Sequence, residues 1–312
     1  MNFPIFPPAA SANAAQTDHL YFFLLGFSGL MLALVFLPII YFAFKYRRGH
    51  LANRRDARLP ELKMEITWTV LPIFLATGMF AWAARIYFLE EVPPAHTLEI
   101  NVVGKQWMWK IQHQEGNREI NELHVPAGSA VKLTLASEDV IHSFYVPAFR
   151  VKQDVVPGRF TTEWFEPTRV GAYPFYCSEY CGAEHAKMRG TVYVMTPPDY
   201  AAWLARGQPH DTLAQAGENL FRSLGCSGCH VGSAAIHAPP LDGVYGRMVP
   251  LSDGTFVRAD DQYLRDSILL PASQVVAGYQ PLMPTYEGRI TEEQLLQLIA
   301  YLKSLGQPHP SP

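Results

Sequence analysis

GAYPFYCSEYCGAEHAKMRGTVYVM, residues 171–195, sets two β-type runs around a loop with two cysteines, a histidine and a methionine. The flanks GAYPFY and GTVYVM are aromatic and β-branched, the composition of strands, so CSEYCGAEHAKM (177–188) falls on a loop at one end of a sheet. Working outward, TLEINVV, VKLTL (131–135) and RFTTEWFE have the same character, punctuated by PAGS and VPGR. Short strands at this spacing predict an antiparallel sandwich or barrel of about 100 residues.

Two thiols, an imidazole and a thioether form a soft donor set that suits copper, with zinc as the competitor. A closed structural zinc site has no use for Met188, and a Cys177–Cys181 disulfide leaves His185 and Met188 unexplained. All three readings stay open on the residues alone. One histidine is too few, and a second comes from His113, His124 or His142. DVIHSF places His142 between Ile141 and Phe144, at the edge of a core, whereas the other two have polar neighbours.

Leu20–Phe44 and Ile66–Ala84 contain no charged residue, and each is long enough to cross a bilayer core of about 30 Å. No Lys or Arg precedes Lys45, so the first run lacks the basic flank of a secretory signal. Seven basic residues against two acidic lie in 45–63, which places that loop in the cytoplasm and both ends of the chain outside. All four cysteines then sit in an oxidising compartment. The net charge of −3 implies no nucleic-acid partner.

Residues 197–212 read as a linker, with prolines and no sustained period. A helical pattern follows and ends in CSGCH (226–230), the C-x-x-C-H of covalent haem c attachment; a thioredoxin-like pair would need a βαβ context that is missing. Cys226 and Cys229 would hold the haem and His230 the iron. TEEQLLQLIAYLKSLG closes the chain's last domain as an amphipathic helix, Thr291 capping it, Gly306 beyond its end, and Leu295, Leu298, Ile299 and Leu302 facing the core. His210, His237 and His309 are expected to be exposed bystanders.

CSEYCGAEHAKM with DVIHSF resembles the copper A site of cytochrome c oxidase subunit II, and the resemblance runs from about residue 20 to 195. It implies a cupredoxin-like sandwich in which Cys177 and Cys181 bridge two copper ions. His142 and His185 would each add a nitrogen, Met188 a weak bond to one copper, and the Glu179 carbonyl a bond to the other. It also implies magnesium at the Glu179 carboxylate, shared with subunit I. GKQWMWK (104–110) resembles the family's aromatic patch, with Trp107 passing electrons to copper; otherwise Trp107 and Trp109 share a strand face and simply pack. EITWTVLP (65–72) resembles the start of the second span, which puts Glu65 at a proton-channel entrance, although a charge at a helix end needs no function. The C-terminal part resembles a class I cytochrome c. There Pro239 would accept the His230 Nδ1 proton, Arg247 would meet a propionate, and Met283 in PLMPTY, rather than Met248, would be the sixth ligand.

The expectation is therefore a multi-domain membrane protein with four parts. A two-helix transmembrane hairpin occupies 1–95, with spans at about 20–44 and 66–89, and a cupredoxin-like all-β domain occupies 96–196. A linker (197–212) and an all-α class I cytochrome c domain (213–312) follow. The resemblance implies the caa type of oxidase, in the bacterial cytoplasmic membrane with its domains on the outer side. Haem c would pass electrons to copper A and on to subunit I, which reduces oxygen to water with proton pumping. Subunit III, a cytochrome c or upstream respiratory complex as donor, and the lipid bilayer complete the partners. Neither span contains a histidine, so oxygen reduction belongs to another subunit. Two further readings stay open: the electron-input subunit of a copper A nitric oxide reductase, and a membrane-anchored electron shuttle. Quinol-oxidising relatives lack these copper ligands.

Overall fold

A computed structural model describes residues 7–49, 61–207, 211–231 and 238–306. His210, His237, His309 and most of the basic loop between the spans lie outside the described residues. Helices α1 (Ala12–Lys45) and α2 (Glu61–Glu91) run past the uncharged stretches at both ends. Both are long and apolar enough to cross a membrane, and their apolar side chains are exposed along most of their length. They make up one compact unit, and the described residues from Pro94 onward, with residues 7–11, belong to a second.

In the second unit the expected strands form. They are β1 (Leu98–Lys105), β2 (Met108–His113), β3 (Arg118–Ile120), β4 (Glu122–Pro126) and β5 (Val131–Ser137). After these come β6 (His142–Val146), β7 (Val151–Val155), β8 (Thr161–Phe165), β9 (Gly171–Cys177) and β10 (Arg189–Met195). Two five-stranded sheets, ordered β3-β2-β1-β5-β8 and β4-β10-β9-β6-β7, face each other over Trp109, Phe144, Phe149, Phe165 and Phe175, all fully buried. The sandwich is not purely antiparallel as expected, because β1 pairs with β5 and β10 with β4 in parallel. Residues 106–130 cross to the second sheet and back between β1 and β5, and that crossover permits the parallel pair.

The segment expected to be a linker carries a helix instead, α3 (Pro197–Arg206). Thr196 accepts from Asp199 N and the prolines occupy the first turn, where a missing N–H costs nothing. Tyr200 and Trp203, three apart, lie on the face that covers the sandwich edge. Tyr200 Oη pairs with His113 Nδ1 at 3.2 Å, and Trp203 stacks on the His124 ring at 4.6 Å. His113 and His124 do have the polar environment expected of them, but His113 is fully buried and His124 partly buried. Glu119 takes both, His113 Nε2 at 2.7 Å and His124 Nδ1 at 2.5 Å. Burial pushes the Glu119 carboxyl up, yet its hydrogen bonds to the two imidazoles outweigh this and leave it below the usual glutamate range. Glu119→Ala should cost about 3 kcal/mol of unfolding free energy at neutral pH, since the buried His113 and the partly buried His124 both lose their acceptor. The stabilisation is present above the unfolded glutamate value and is lost as pH falls through the lower folded one, so parent and variant denaturation midpoints should converge in acid.

The C-terminal domain contains α4 (Leu213–Ser223), the one-turn α5 (Ser227–His230), a small hairpin of β11 (Met248–Pro250) and β12 (Phe256–Arg258), α6 (Asp261–Leu269) and α7 (Glu292–Ser304). Thr212 and Thr291 form capping boxes with Gln215 and Gln294. α7 buries the four expected residues, Leu295, Leu298, Ile299 and Leu302, in its own domain. Its opposite face, Glu293, Leu296 and Lys303 at helical spacing, meets the sandwich. Leu296 packs on Val103 and Ala136, Glu293 accepts from Lys110 at 3.2 Å, and Lys303 donates to Glu99 at 3.4 Å. Phe160 N also donates to Gln262 Oε1 on α6 at 3.0 Å.

Candidate copper and haem sites

The loop 178–188 folds back so that its donors meet those of β6 and β9. Cys177 Sγ lies 3.8 Å from Cys181 Sγ and 3.9 Å from His142 Nδ1. Cys181 Sγ lies 3.5 Å from His185 Nδ1 and 3.7 Å from Met188 Sδ. The Glu179 carbonyl accepts from Cys177 Sγ at 3.2 Å, while its carboxylate is on an exposed residue. All six expected donors therefore converge, and both cysteines are free thiols. Of His113, His124 and His142, only His142, the one with apolar flanks, faces the sulfurs. His142 Nε2 is held at 2.8 Å by Asp139 Oδ1, which turns Nδ1 toward Cys177. Sequence reasoning did not assign Asp139, although its position three residues before His142 could have suggested it.

Electrostatics separates the two thiols. Burial raises Cys177, but hydrogen bonds from His142 and the Ser143 backbone bring it down to about 6. Burial and the charge on Cys177 push Cys181 up to about 12. Without metal the pair thus holds one proton at neutral pH, because two thiolates this close repel each other. A disulfide would require the two sulfurs to close from 3.8 Å to about 2 Å with loss of two electrons, whereas a soft cation satisfies both sulfurs where they stand.

Trp107 and Trp109 do not share a strand face. Trp107 lies in the turn between β1 and β2, and its Nε1 donates to the Cys181 carbonyl at 3.3 Å. Gln106 Nε2 donates to the same oxygen at 2.8 Å. Gly182 follows with φ +119°, and a Cβ there would press on the Gln106 amide and the Trp107 ring, so glycine allows the loop to close on this turn. Trp109 is fully buried, edge-on to Phe144 at 5.2 Å and to His142 at 5.8 Å, which is a core role.

The second site is a cavity of about 480 Å³ in the C-terminal domain. Cys226, Cys229, His230, Pro239, Arg247 and Met283 all line it. α5 is one turn long, so Cys226 and Cys229 come to the same rim and His230 follows beside them. His230 Nδ1 donates to the Pro239 carbonyl at 3.0 Å, which leaves Nε2 for a ligand. Met248 and Met283 both line the cavity, but Met283 packs against the domain core whereas Met248 is 59% exposed on β11. Arg247 is exposed at the rim. A large apolar cavity with two thiols and an imidazole at its edge fits a covalently held haem. Glu65 lies exposed one turn inside α2.

Fold and sites together define an electron-carrying membrane-anchored protein with a copper-type and a haem-type centre on one chain. The family model for the periplasmic domain of cytochrome c oxidase subunit II matches residues 115–195, and that for cytochrome c matches 214–306. Cytochrome c oxidase subunit 2 of Alkalihalophilus pseudofirmus is 31% identical over 283 residues, covering 84% of this chain and 79% of that one. The alternative cytochrome c oxidase subunit 2 of Bradyrhizobium diazoefficiens is 32% identical over 214 residues, covering 57% and 75%. A crystal structure of the periplasmic domain of subunit II of a Bradyrhizobium japonicum cytochrome oxidase is 30% identical, covers 37% of this chain and 96% of that one, and has a TM-score of 0.36. The chain belongs to the cytochrome c oxidase subunit II family, in the caa form with a fused cytochrome c domain. It is thus a subunit of a haem–copper oxidase, with other oxidase subunits as its partners, and the nitric oxide reductase reading is not favoured.

Proposed function

We propose that the chain is the electron-input subunit of a respiratory cytochrome c oxidase, carrying electrons from haem c to copper A and on to subunit I for proton-pumping oxygen reduction. The observation that carries this reading is the convergence of His142, Cys177, Cys181, His185, Met188 and the Glu179 carbonyl on one point. Cys177 and Cys181, with His142 and His185 through Nδ1, Met188 and the Glu179 carbonyl, would hold the copper ions of copper A, which would supply one-electron transfer. Asp139 fixes the His142 tautomer, and the sandwich holds the donors in place between oxidation states.

Cys226 and Cys229 would hold haem c by thioethers, with His230 and Met283 on the iron, Pro239 orienting His230 and Arg247 at a propionate. The exposed Glu179 carboxylate would reach magnesium at the border with subunit I. Glu65 would open the proton channel, and α1 and α2 would cross the bacterial cytoplasmic membrane with both water-soluble domains outside. Subunit III and a cytochrome c or upstream respiratory complex as donor complete the assembly. Metal analysis and electron paramagnetic resonance of the purified complex test this: two copper ions in a mixed-valence pair and one haem c per chain support it, and a copper-free chain with oxidised cysteines refutes it.

Trp107 is the contact through which electrons reach the copper loop, because its indole is hydrogen-bonded to the Cys181 carbonyl. Trp107→Ala should slow haem-to-copper transfer after flash photolysis at least about tenfold, the equivalent of ~1.4 kcal/mol in barrier. The copper spectrum should stay unchanged, and an unaltered rate would remove Trp107 from the route.

A further inference from the structure

We propose that the docked cytochrome domain positions His142, so that copper binding and domain docking reinforce each other; this rests on the copper reading of residues 177–188. Two lines of contact lead from α7 to the His142 ring. Along the polar one, Glu293 accepts from Lys110 at 3.2 Å, and Lys110 also bonds Glu138 at 3.2 Å. Lys105 takes the other oxygen of Glu138 at 3.0 Å, and Glu138 N donates to the Gly104 carbonyl at 3.0 Å. The next residue, Asp139, holds His142 Nε2 with Oδ1 and accepts from Gln106 N at 2.8 Å with Oδ2. The short turn that anchors the histidine is therefore linked to α7 through Lys110, which pairs with both Glu138 and Glu293.

Along the apolar line, Leu296 of α7 packs on Val103. Gly104 follows, and a Cβ on it would lie 3.0 Å from His142 Cδ2 and 3.2 Å from Trp109 Cζ3. The β1 backbone thus rests directly on the ring. His142 is fully buried, and an interior packed at this density transmits a shift of β1 rather than absorbing it. With the domain docked, Glu293 and Leu296 load Lys110 and Val103; without it, the Glu138–His142 turn and β1 lose their outer support. Glu293, Leu296 and Lys110 are positioning residues, since none touches the metal donors.

Thermodynamic reciprocity makes this testable in both directions, because any factor by which docking raises copper affinity is the factor by which copper tightens docking. The full-length, haem-loaded chain is compared with and without copper by hydrogen exchange of the α7 and Val103–Lys110 amides. Copper affinity is measured by chelator competition in the parent, Glu293→Gln and Leu296→Ala. Couplings of this kind span about 5- to 150-fold. Copper should slow exchange at the seam about fivefold or more, and both variants should bind copper correspondingly more weakly with a changed copper hyperfine pattern. Seam exchange that is the same with and without bound copper overturns the coupling and leaves the copper site standing. A parent chain that takes up no copper overturns the copper reading and this proposal with it. The haem absorption of each variant reports that its cytochrome domain is folded.

Discussion

Cys181→Ser is expected to strip the mixed-valence copper signal from the chain while its haem stays attached. The Cys181 sulfur lies within 3.8 Å of the Cys177 sulfur, the His185 nitrogen and the Met188 sulfur, so it joins three other donors of the cluster. A serine hydroxyl is hard, stays protonated near neutrality and cannot bridge soft copper ions. Copper should fall from two ions to at most one per chain. The CxxCH site is a separate cavity lined by other residues, so haem content should not change. In the parent, Cys181 stands at about 12 before metal arrives and Cys177 at about 6. Loading must therefore expel the Cys181 proton at neutral pH and a second, from Cys177, in more acid solution. Copper affinity should fall as the solution is made more acid, by about tenfold per pH unit while Cys181 alone must lose a proton. The fall should steepen once Cys177 and His142 are protonated as well, because burial lowers the His142 ring but its hydrogen bonds to Cys177 and Asp139 hold it above the usual histidine range. A pH titration of affinity with no change of slope would contradict this ordering of the thiols.

Met283→Ala should leave the haem covalently bound but lower its reduction potential by tenths of a volt, a sizeable part of the ~0.8 V that axial ligands command. Met283 is packed against the core at the cavity, and Ala cannot reach the iron. The absorption due to sulfur ligation should vanish and the copper signal should not. Met248→Ala is the control: that side chain is mostly exposed on β11, and its loss should leave the potential within experimental error. A reversed outcome would assign the sixth ligand to Met248.

The strands were legible because alternating apolar residues and turn punctuation report a half-buried surface directly. The copper loop was legible because its donors are close in sequence, and His142 because its flanks already read as core. Other features depend on distant partners. Nothing local distinguishes parallel β1–β5 pairing from antiparallel pairing, since register and direction come from the crossover between sheets. α3 is ten residues long, too short for a convincing period, and its prolines mimic a linker although they sit where a helix tolerates them. Leu296 falls outside the four core-facing residues read for α7, and only the folded chain shows that it faces the sandwich. The Glu119 network joins β2, β3 and β4 and then α3, and no spacing rule foretells such a meeting.

Because α3 is bound to the sandwich edge, the leash on the haem domain is much shorter than the sequence suggests. Only residues 207–212 separate α3 from α4, a stretch that spans at most about 24 Å when fully drawn out. A released domain would thus roam within a few nanometres of its berth, at a local concentration of order millimolar. Rebinding should be swift and independent of how much enzyme is present, whereas an α3 freed by loss of Trp203 or Tyr200 would lengthen the tether and let the domain wander further.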